Sequence, residues 1–232
     1  MPPLLIKSVD RTAASTSSSN FQVELPYPIE GEWNVQCIQM PYTLYSVVAG
    51  LNDTVYTSLG NATLTAGSYS TSTFTSMLQT RLQVADANFT ATYNTDTKKM
   101  TITNTGAFTL NFATTTASAA KLCGFTNSNT GSATSQTGTL VVDLVSSPMV
   151  LIEIAECKNK MASSDVASHY RGNIYVPFTV AFGSYERLLY GDIPQSINLS
   201  SKTKLLTFKL WDSDGNVANL NGSDWQLLLS PR

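Results

Sequence analysis

The stretch GSYSTSTFTSMLQTRLQ, Gly67–Gln83, is the best-specified part of the chain and decides how the remainder is divided. Phe74, Met77, Leu78 and Leu82 recur at i, i+3, i+4 and i+8, which is one apolar face of an α-helix. Ser70, Thr71 and Ser72 offer hydroxyl N-caps, and Asp86-Ala87-Asn88 predicts the end of the helix. Downstream the period changes to two. Phe89, Ala91 and Tyr93 alternate with Thr90 and Thr92, Asn94–Lys99 turns the chain, and Met100–Thr103 alternates back, so a β-hairpin is expected. Phe108–Phe112 is expected as a third strand. Ser118–Cys123 suits a short helical turn, closed by Gly124 as C-cap with Phe125 packing back. The module from Gly67 to Phe125 is thus a helix, three strands and a short helix, with no reactive constellation in it. It is built as a shape.

Around this module the sequence has a β pattern. Leu4–Val9 predicts a short first strand, and Asp10–Asn20 a polar loop. Phe21, Val23 and Leu25 alternate as a strand, Pro26, Pro28 and Gly31 are expected to break it, and Trp33, Val35 and Cys37 begin the next. Tyr42–Val48 is extended and aromatic, and Gly50–Asp53 closes the first β block. Thr126–Thr139 has the composition of a flexible connector or exposed loop. Leu140–Val142 then starts a strand, and Met149–Ala155 is apolar enough for a central strand buried on both faces. Glu156–Ser168 is expected as an exposed loop. Further strands are expected at Asn173–Phe178, Thr179–Phe182, Tyr185–Tyr190, Ile197–Leu199, Leu205–Leu210 and Trp225–Leu229, with Asp212–Gly215 as a tight turn. Short strands separated by turn clusters predict a sandwich or jelly roll, in which the first and last strands pair.

Composition narrows the function. The chain has 232 residues, and 42% of them are hydrophobic, enough for a packed core. Charged residues are 13%, about half the usual share, and Ser, Thr and Asn fill the gap. Such a surface suits a protein packed against neighbours, as well as adhesins and secreted β domains. Net charge is −2 and the basic residues are scattered, which disfavours direct nucleic-acid binding. Cys37, Cys123 and Cys157 are odd in number and widely spaced, so free buried thiols are expected rather than a disulfide framework. Cys37 alternates with Trp33 and Val35 and is expected in the core. The short apolar run at Met1–Lys7 is not a signal peptide, and no stretch reaches the about 20 apolar residues of a membrane span. A soluble protein made in the cytosol is expected. The N-x-Ser/Thr triplets at Asn52, Asn61, Asn88, Asn198 and Asn221 arise readily by chance in this composition.

Catalytic patterns are missing. The single histidine, His169, has no G-x-S-x-G elbow to serve and reads as a loop or interface residue. No metal-ligand cluster, P-loop or G-x-G-x-x-G occurs, so neither a cofactor nor a metal is expected. Asp212-x-Asp214-Gly215 lacks the further ligands of a calcium loop, and Glu153 and Glu156 have no paired acid placed as in a glycosidase. No enzyme is expected. Tyr42, Tyr45, Tyr56, Tyr170, Tyr175, Tyr185 and Tyr190 fit a sugar-binding face or a protein interface equally well.

Ile6–Arg11, then a Ser/Thr-rich loop, then Asn20–Leu25 resembles the start of single jelly-roll penton (vertex) proteins. These belong to icosahedral double-stranded DNA viruses with double jelly-roll major capsid proteins, such as virophages and polinton-like viruses. Val35–Tyr45 resembles their strand ending in P-N-T-x-Y, with Tyr42 in place of the Asn. Leu205–Gly215 and Asn221–Trp225 resemble the closing hairpin of such proteins. The resemblance implies a mainly β, single jelly-roll β-sandwich with an inserted α+β module. Its expected division is 1–55, the first part of the jelly roll with an N-terminal arm, 56–126, the insertion, and 127–232, the second part.

It also implies a structural virion protein, a penton subunit whose homopentamer closes each fivefold vertex against peripentonal major capsid protein. Other minor capsid or spike proteins are further candidate partners. Synthesis in the host cytoplasm and residence at the capsid vertex follow. Leu4, Leu5, Ile6 and Lys7 become the candidate capsid-contact arm, with a frayed terminus or a simple edge strand as the plainer alternative. Asp10, Arg11, Tyr42 and Tyr45 become candidate contacts between subunits. The alternative is a viral fibre-head or receptor- or carbohydrate-binding β-sandwich domain.

Overall fold

A computed structural model describes residues 2–15, 17–113, 116–158, 172–189 and 195–232. His169, Tyr170, Tyr190 and most of the loop expected at Glu156–Ser168 lie outside the described residues. The chain divides into two compact units, one formed by Met1–Leu44 with Ser147–Arg232, the other by Tyr45–Ser146.

The first unit is a jelly-roll β-sandwich made from one curled antiparallel sheet of seven strands. Its strands are β1 (Leu4–Lys7), β2 (Asn20–Pro41), β8 (Met149–Ile154), β9 (Ile174–Pro177), β10 (Tyr185–Leu189), β11 (Ser196–Trp211) and β12 (Gln226–Pro231). The first strand pairs with the last, Leu4 opposite Leu229 and Lys7 opposite Gln226, as the sequence led us to expect. The long strand β2 belongs to both leaves. Its N-terminal half pairs with β11, which continues to β8 and β9, while its C-terminal half lies between β12 and β10. One core fills the space between the leaves. Phe21 stacks on Phe208 with centroids 5.1 Å apart, and Trp225, just before β12, meets both rings edge-on at 5.7 and 5.8 Å. Trp225 thereby joins one leaf to the other.

Several strand boundaries differ from the sequence expectation, each for a visible reason. Pro26 and Pro28 do not split β2, because they fall in the gap of the β11 register between Glu24 and Ile29, where no ladder donor is needed. Gly31, at φ 75°, supplies the bend. The two strands expected at 197–199 and 205–210 are one strand, β11, with register shifts on either side of Thr203. Thr179–Phe182 is not a strand, and Phe182 is exposed. Met149–Ile154 does lie in the sheet between β11 and β9, with Val150, Leu151, Ile152 and Ile154 all buried.

Cys37 is corrected as well. Leu228 pairs with Cys37 and Leu229 with Val35, so a bulge at this point places two successive residues, Gln36 and Cys37, on the outer side. The thiol is half-buried on the outer surface, while Ile38 and Met40 take the inward positions. Strict alternation from Trp33 gave the opposite face.

The second unit holds its own core around α1 (Thr71–Ala85). The helix occupies the predicted span. Ser70 is its N-cap, its hydroxyl accepting from the Thr73 amide at 3.3 Å, and Phe74, Leu78 and Leu82 are fully buried. The helix stops at Asp86, whose amide still donates to the Leu82 carbonyl. The expected hairpin is β5 (Thr90–Asn94) with β6 (Lys99–Phe108). The third strand is elsewhere than expected: β6 runs on to Phe108, Leu110 and Asn111 make isolated bridges, and the third strand is β7 (Ala133–Thr137). That segment was expected to be a flexible connector, since Ala-Thr-Ser-Gln-Thr has no apolar alternation. Its one inward residue is Gln136, whose side-chain amide donates to the Phe108 and Gly131 carbonyls. A small hairpin, β3 (Thr54–Thr57) with β4 (Gly60–Thr63), gave no sequence signal. Val47, Val55, Val142 and Leu144 belong to this core, so residues assigned above to the jelly roll pack in the second unit.

The turn at Ala119–Gly124 is a single helical turn rather than a helix. The Cys123 amide donates to the Ala119 carbonyl and the Phe125 amide reaches back to the Ala120 carbonyl at 2.8 Å, the closure anticipated for Gly124. Gly124 has φ 75°, and a Cβ there would lie 2.6 Å from the Leu140 carbonyl oxygen. Gly124→Ala is therefore expected to cost about 1–3 kcal/mol, read as a lowered midpoint in urea unfolding of the second unit's helix signal.

Candidate assembly surface

Leu4 and Ile6 face the sandwich core at 4% and 2% exposure, so half of the candidate arm is consumed within its own subunit. Leu5 and Lys7 face outward. The segment is the edge strand β1, with β12 on one side and no strand on the other among the described residues. Its end is fastened to the C-terminal segment. Ser8 donates from its amide to the Trp225 carbonyl, accepts from the Trp225 amide at its hydroxyl, and donates that hydroxyl to Asp224 at 2.7 Å. Arg11 donates to the same Asp224 oxygen at 2.9 Å and to the Ser8 carbonyl at 2.8 Å. This cluster joins Ile6–Arg11 to Asn221–Trp225, two of the segments that carry the resemblance. Asp10 is exposed at the end of a short 3-10 turn, Ser8–Asp10.

The remaining candidates are scattered. Tyr42 is half-buried, stacked on Phe178 at 4.5 Å, with Phe182 edge-on at 6.2 Å. Tyr45 belongs to the second unit. The structure thus turns Leu5, Lys7 and Asp10 outward, ties Arg11 to Asp224 and packs Tyr42 on Phe178.

The leaf made by β1, β12, β2 and β10 has an outer face that the sequence did not reveal. One register row runs Leu5, Leu228, Cys37, Leu189, and the neighbouring outward row runs Lys7, Gln226, Gln39, Arg187. The inward row between them, Ile6, Leu227, Ile38 and Leu188, packs on the core. Leu5 and Leu189 are 49% and 46% exposed. The Gln226 side-chain amide donates to Gln39 at 2.6 Å, and a groove of about 270 Å³ opens between Lys7, Val9, Tyr185 and Asp224. Leu228 and Leu189 could not be assigned from sequence because their face depends on the bulge opposite Cys37.

The other leaf's outer face is polar, and its charges are engaged. Lys204 donates to Glu24 at 2.9 Å and holds its carboxyl below the usual range through that hydrogen bond and the attendant charge attraction. The Trp211 indole donates to Glu153 at 2.8 Å, and the Lys209 ammonium sits 4.0 Å over the Trp211 ring.

Chemistry is sparse here. Asp212 caps its own turn, accepting from the amides of Asp214 and Asn216, and burial raises its carboxyl pKa. Burial pushes the Cys123 thiol up to about 12. Among the described residues no group of three or more His, Cys, Asp or Glu side chains converges as a metal site. Among the described residues no helix is long and apolar enough to cross a membrane.

Two outcomes are expected. Asp224→Ala removes the acceptor shared by Ser8 and Arg11, should cost about 1–2 kcal/mol after allowance for its partial exposure, and should speed amide exchange along Leu4–Lys7. At pH 8 a maleimide should modify Cys37 in the dilute folded protein and leave Cys123 and Cys157 untouched until the protein is unfolded.

No protein-family model matches the chain, and no curated protein sequence matches it. Among solved structures, the crystal structure of the mavirus penton protein aligns over 98% of this chain and 90% of its own, at 13% identity and a TM-score of 0.35. A chain of the 3.5 Å cryo-EM structure of the Sputnik virophage aligns over 98% of this chain and 96% of its own, at 11% identity and a TM-score of 0.40.

Proposed function

We propose that the protein is a penton subunit, a structural virion protein whose five copies close a ring at the fivefold vertices of an icosahedral capsid. The observation that carries this is the meeting of Ile6–Arg11 with Asn221–Trp225. Segments from the two ends of the chain, each resembling single jelly-roll pentons, converge on Ser8, Arg11, Asp224 and Trp225 in a sandwich of jelly-roll architecture. Both segments thus lie at one corner of the sandwich and are tied to each other there, which supports reading them as parts of one pattern.

The work of the molecule is then assembly. Each subunit contributes a sandwich to the ring, each contact is heterologous and cyclic, and the ring's outer rim meets peripentonal major capsid protein. The second unit, inserted between Leu44 and Ser147, is the element available to spike or further minor capsid proteins. The protein resides in the virion after synthesis in the host cytoplasm, and no catalytic step is assigned to it.

The test is the mass of the purified protein in solution, with negative-stain imaging alone and after mixing with major capsid protein. Fivefold rings, formed alone or only in the mixture, are expected. A stable trimer would overturn the penton assignment in favour of a fibre head or adhesin.

A further inference from the structure

We infer that the second unit carries a strand-addition site: the free edge of residues 135–143 takes up an extended peptide segment of a partner protein, apolar at alternate positions and neutral or acidic. The site lies within that unit and stands independently of the penton assignment. The sheet β5-β6-β7 has two edges, and the chain treats them differently. At β5 the helix α1 covers the edge. The Ala91 amide donates to the Gln79 side chain at 3.2 Å, and the Gln83 side-chain amide donates to the Phe89 carbonyl at 3.0 Å. At β7 no such cover exists among the described residues.

Hydrogen bonding along the β7 edge alternates. The Gly138 amide donates to the Met100 carbonyl at 2.9 Å, Leu140 to Gly124 at 2.8 Å and Val142 to Lys98 at 2.9 Å, and Gln136 sits opposite Ile102 in the same phase. Ser135, Thr137, Thr139 and Val141 stand in the opposite phase, exposed, with no backbone hydrogen bond to any described residue. A row of unused backbone donors and acceptors is matched by another extended backbone, which names the class of occupant. Side chains beside the edge name its character. Leu140, Val141 and Val145 are 49%, 56% and 72% exposed, and a groove of about 700 Å³ is lined by Lys121, Thr139–Asp143 and Val145. Such a groove takes the apolar side chains from one face of a strand. Beside Val142 the turn at 94–99 carries Lys98 and Lys99 against Asp96, while Lys121 and Asp143 cancel at 3.5 Å, which leaves the surroundings one charge positive. The same sheet in a second copy has no suitable strand to give. Its β5 edge is covered by Gln79 and Gln83, and its β7 edge bends at Thr139 and Leu140, so two such edges do not run straight alongside each other. A flexible segment can follow the bend.

The test uses the full chain and a fluorescein-labelled peptide of alternating valine and threonine with a glutamate at each end. Anisotropy reads binding, and hydrogen exchange with and without saturating peptide reads the site. The peptide should bind, and exchange at Ser135, Thr137, Thr139 and Val141 should slow at least tenfold while Ala91 keeps its rate. N-methylating the peptide's amides along one edge should weaken binding at least tenfold. Val141→Pro, which removes a donor that the fold does not use, and Val145→Asp should each do the same, both melting as the parent does. No binding up to the peptide's solubility limit would overturn the inference, as would binding that leaves those four amides exchanging as before. So would equal affinity for the N-methylated peptide or for one ending in lysines, or unchanged affinity in either variant. A peptide-free dimer in which the same four amides are protected would make a second copy the occupant and overturn it too. None of these outcomes bears on ring formation, so the penton assignment stands or falls separately.

Discussion

Everything in the sandwich depends on one strand changing partners along its length. β2 spans Asn20–Pro41 and gives its first half to one leaf and its second half to the other. A straight strand of that length could pair within only one sheet. The bend therefore has to fall where backbone pairing is relaxed, and the chain places Pro26 and Pro28 there, with Gly31 beside the neighbouring register shift. Residues that ordinarily end a strand here allow it to continue around a corner. The neighbouring strand β11 follows the same corner with its register shifts around Thr203, so the two strands turn together and the core between the leaves stays closed.

The cross-leaf aromatic trio turns this bent ladder into a packed solid. Phe21 and Phe208 stack within one leaf, and Trp225 reaches them from the other while its indole donates to the Ser18 carbonyl. Rings of this size bury large apolar areas, and edge-on contacts add to that burial. The indole hydrogen bond fixes the rotation of Trp225 and satisfies its only donor. Immediately beside it, Ser8 and Asp224 tie the first strand to the last, so packing and polar anchoring converge at the same corner of the sandwich.

What could be read in the sequence was whatever followed a simple period. The helix at Thr71–Ala85 and the β5–β6 hairpin came from apolar spacing, the buried strand Met149–Ile154 from an unbroken apolar run, and the pairing of the first and last strands from the sandwich that the strand pattern implied. β7 could not be read because its inward residue is a glutamine, satisfied by two carbonyls that only the folded chain supplies. The face of Cys37 was misread because a single bulge reverses alternation, and a bulge is set by the partner strand rather than by local composition. Of the candidate contact residues, Leu5 and Lys7 do lie outward, whereas Leu4 and Ile6 serve the core and Tyr42 packs on Phe178. The row containing Leu228 and Leu189 joins strands distant in sequence, so no local pattern could have announced it.

The pairing of Leu4–Lys7 with Gln226–Leu229 has a consequence for biosynthesis. During translation the first strand emerges more than two hundred residues before its partner, and β1 has no ladder neighbour until Gln226–Leu229 has been made. The second unit, confined to Tyr45–Ser146, needs no residue outside that interval for its core and is complete well before synthesis ends. Nascent chains therefore carry a finished insertion on an open sandwich, and the sandwich closes only once Gln226–Leu229 has emerged. The apolar row that includes Leu5 and Leu228 cannot exist until that closure, so incomplete chains are unable to offer it to a neighbour.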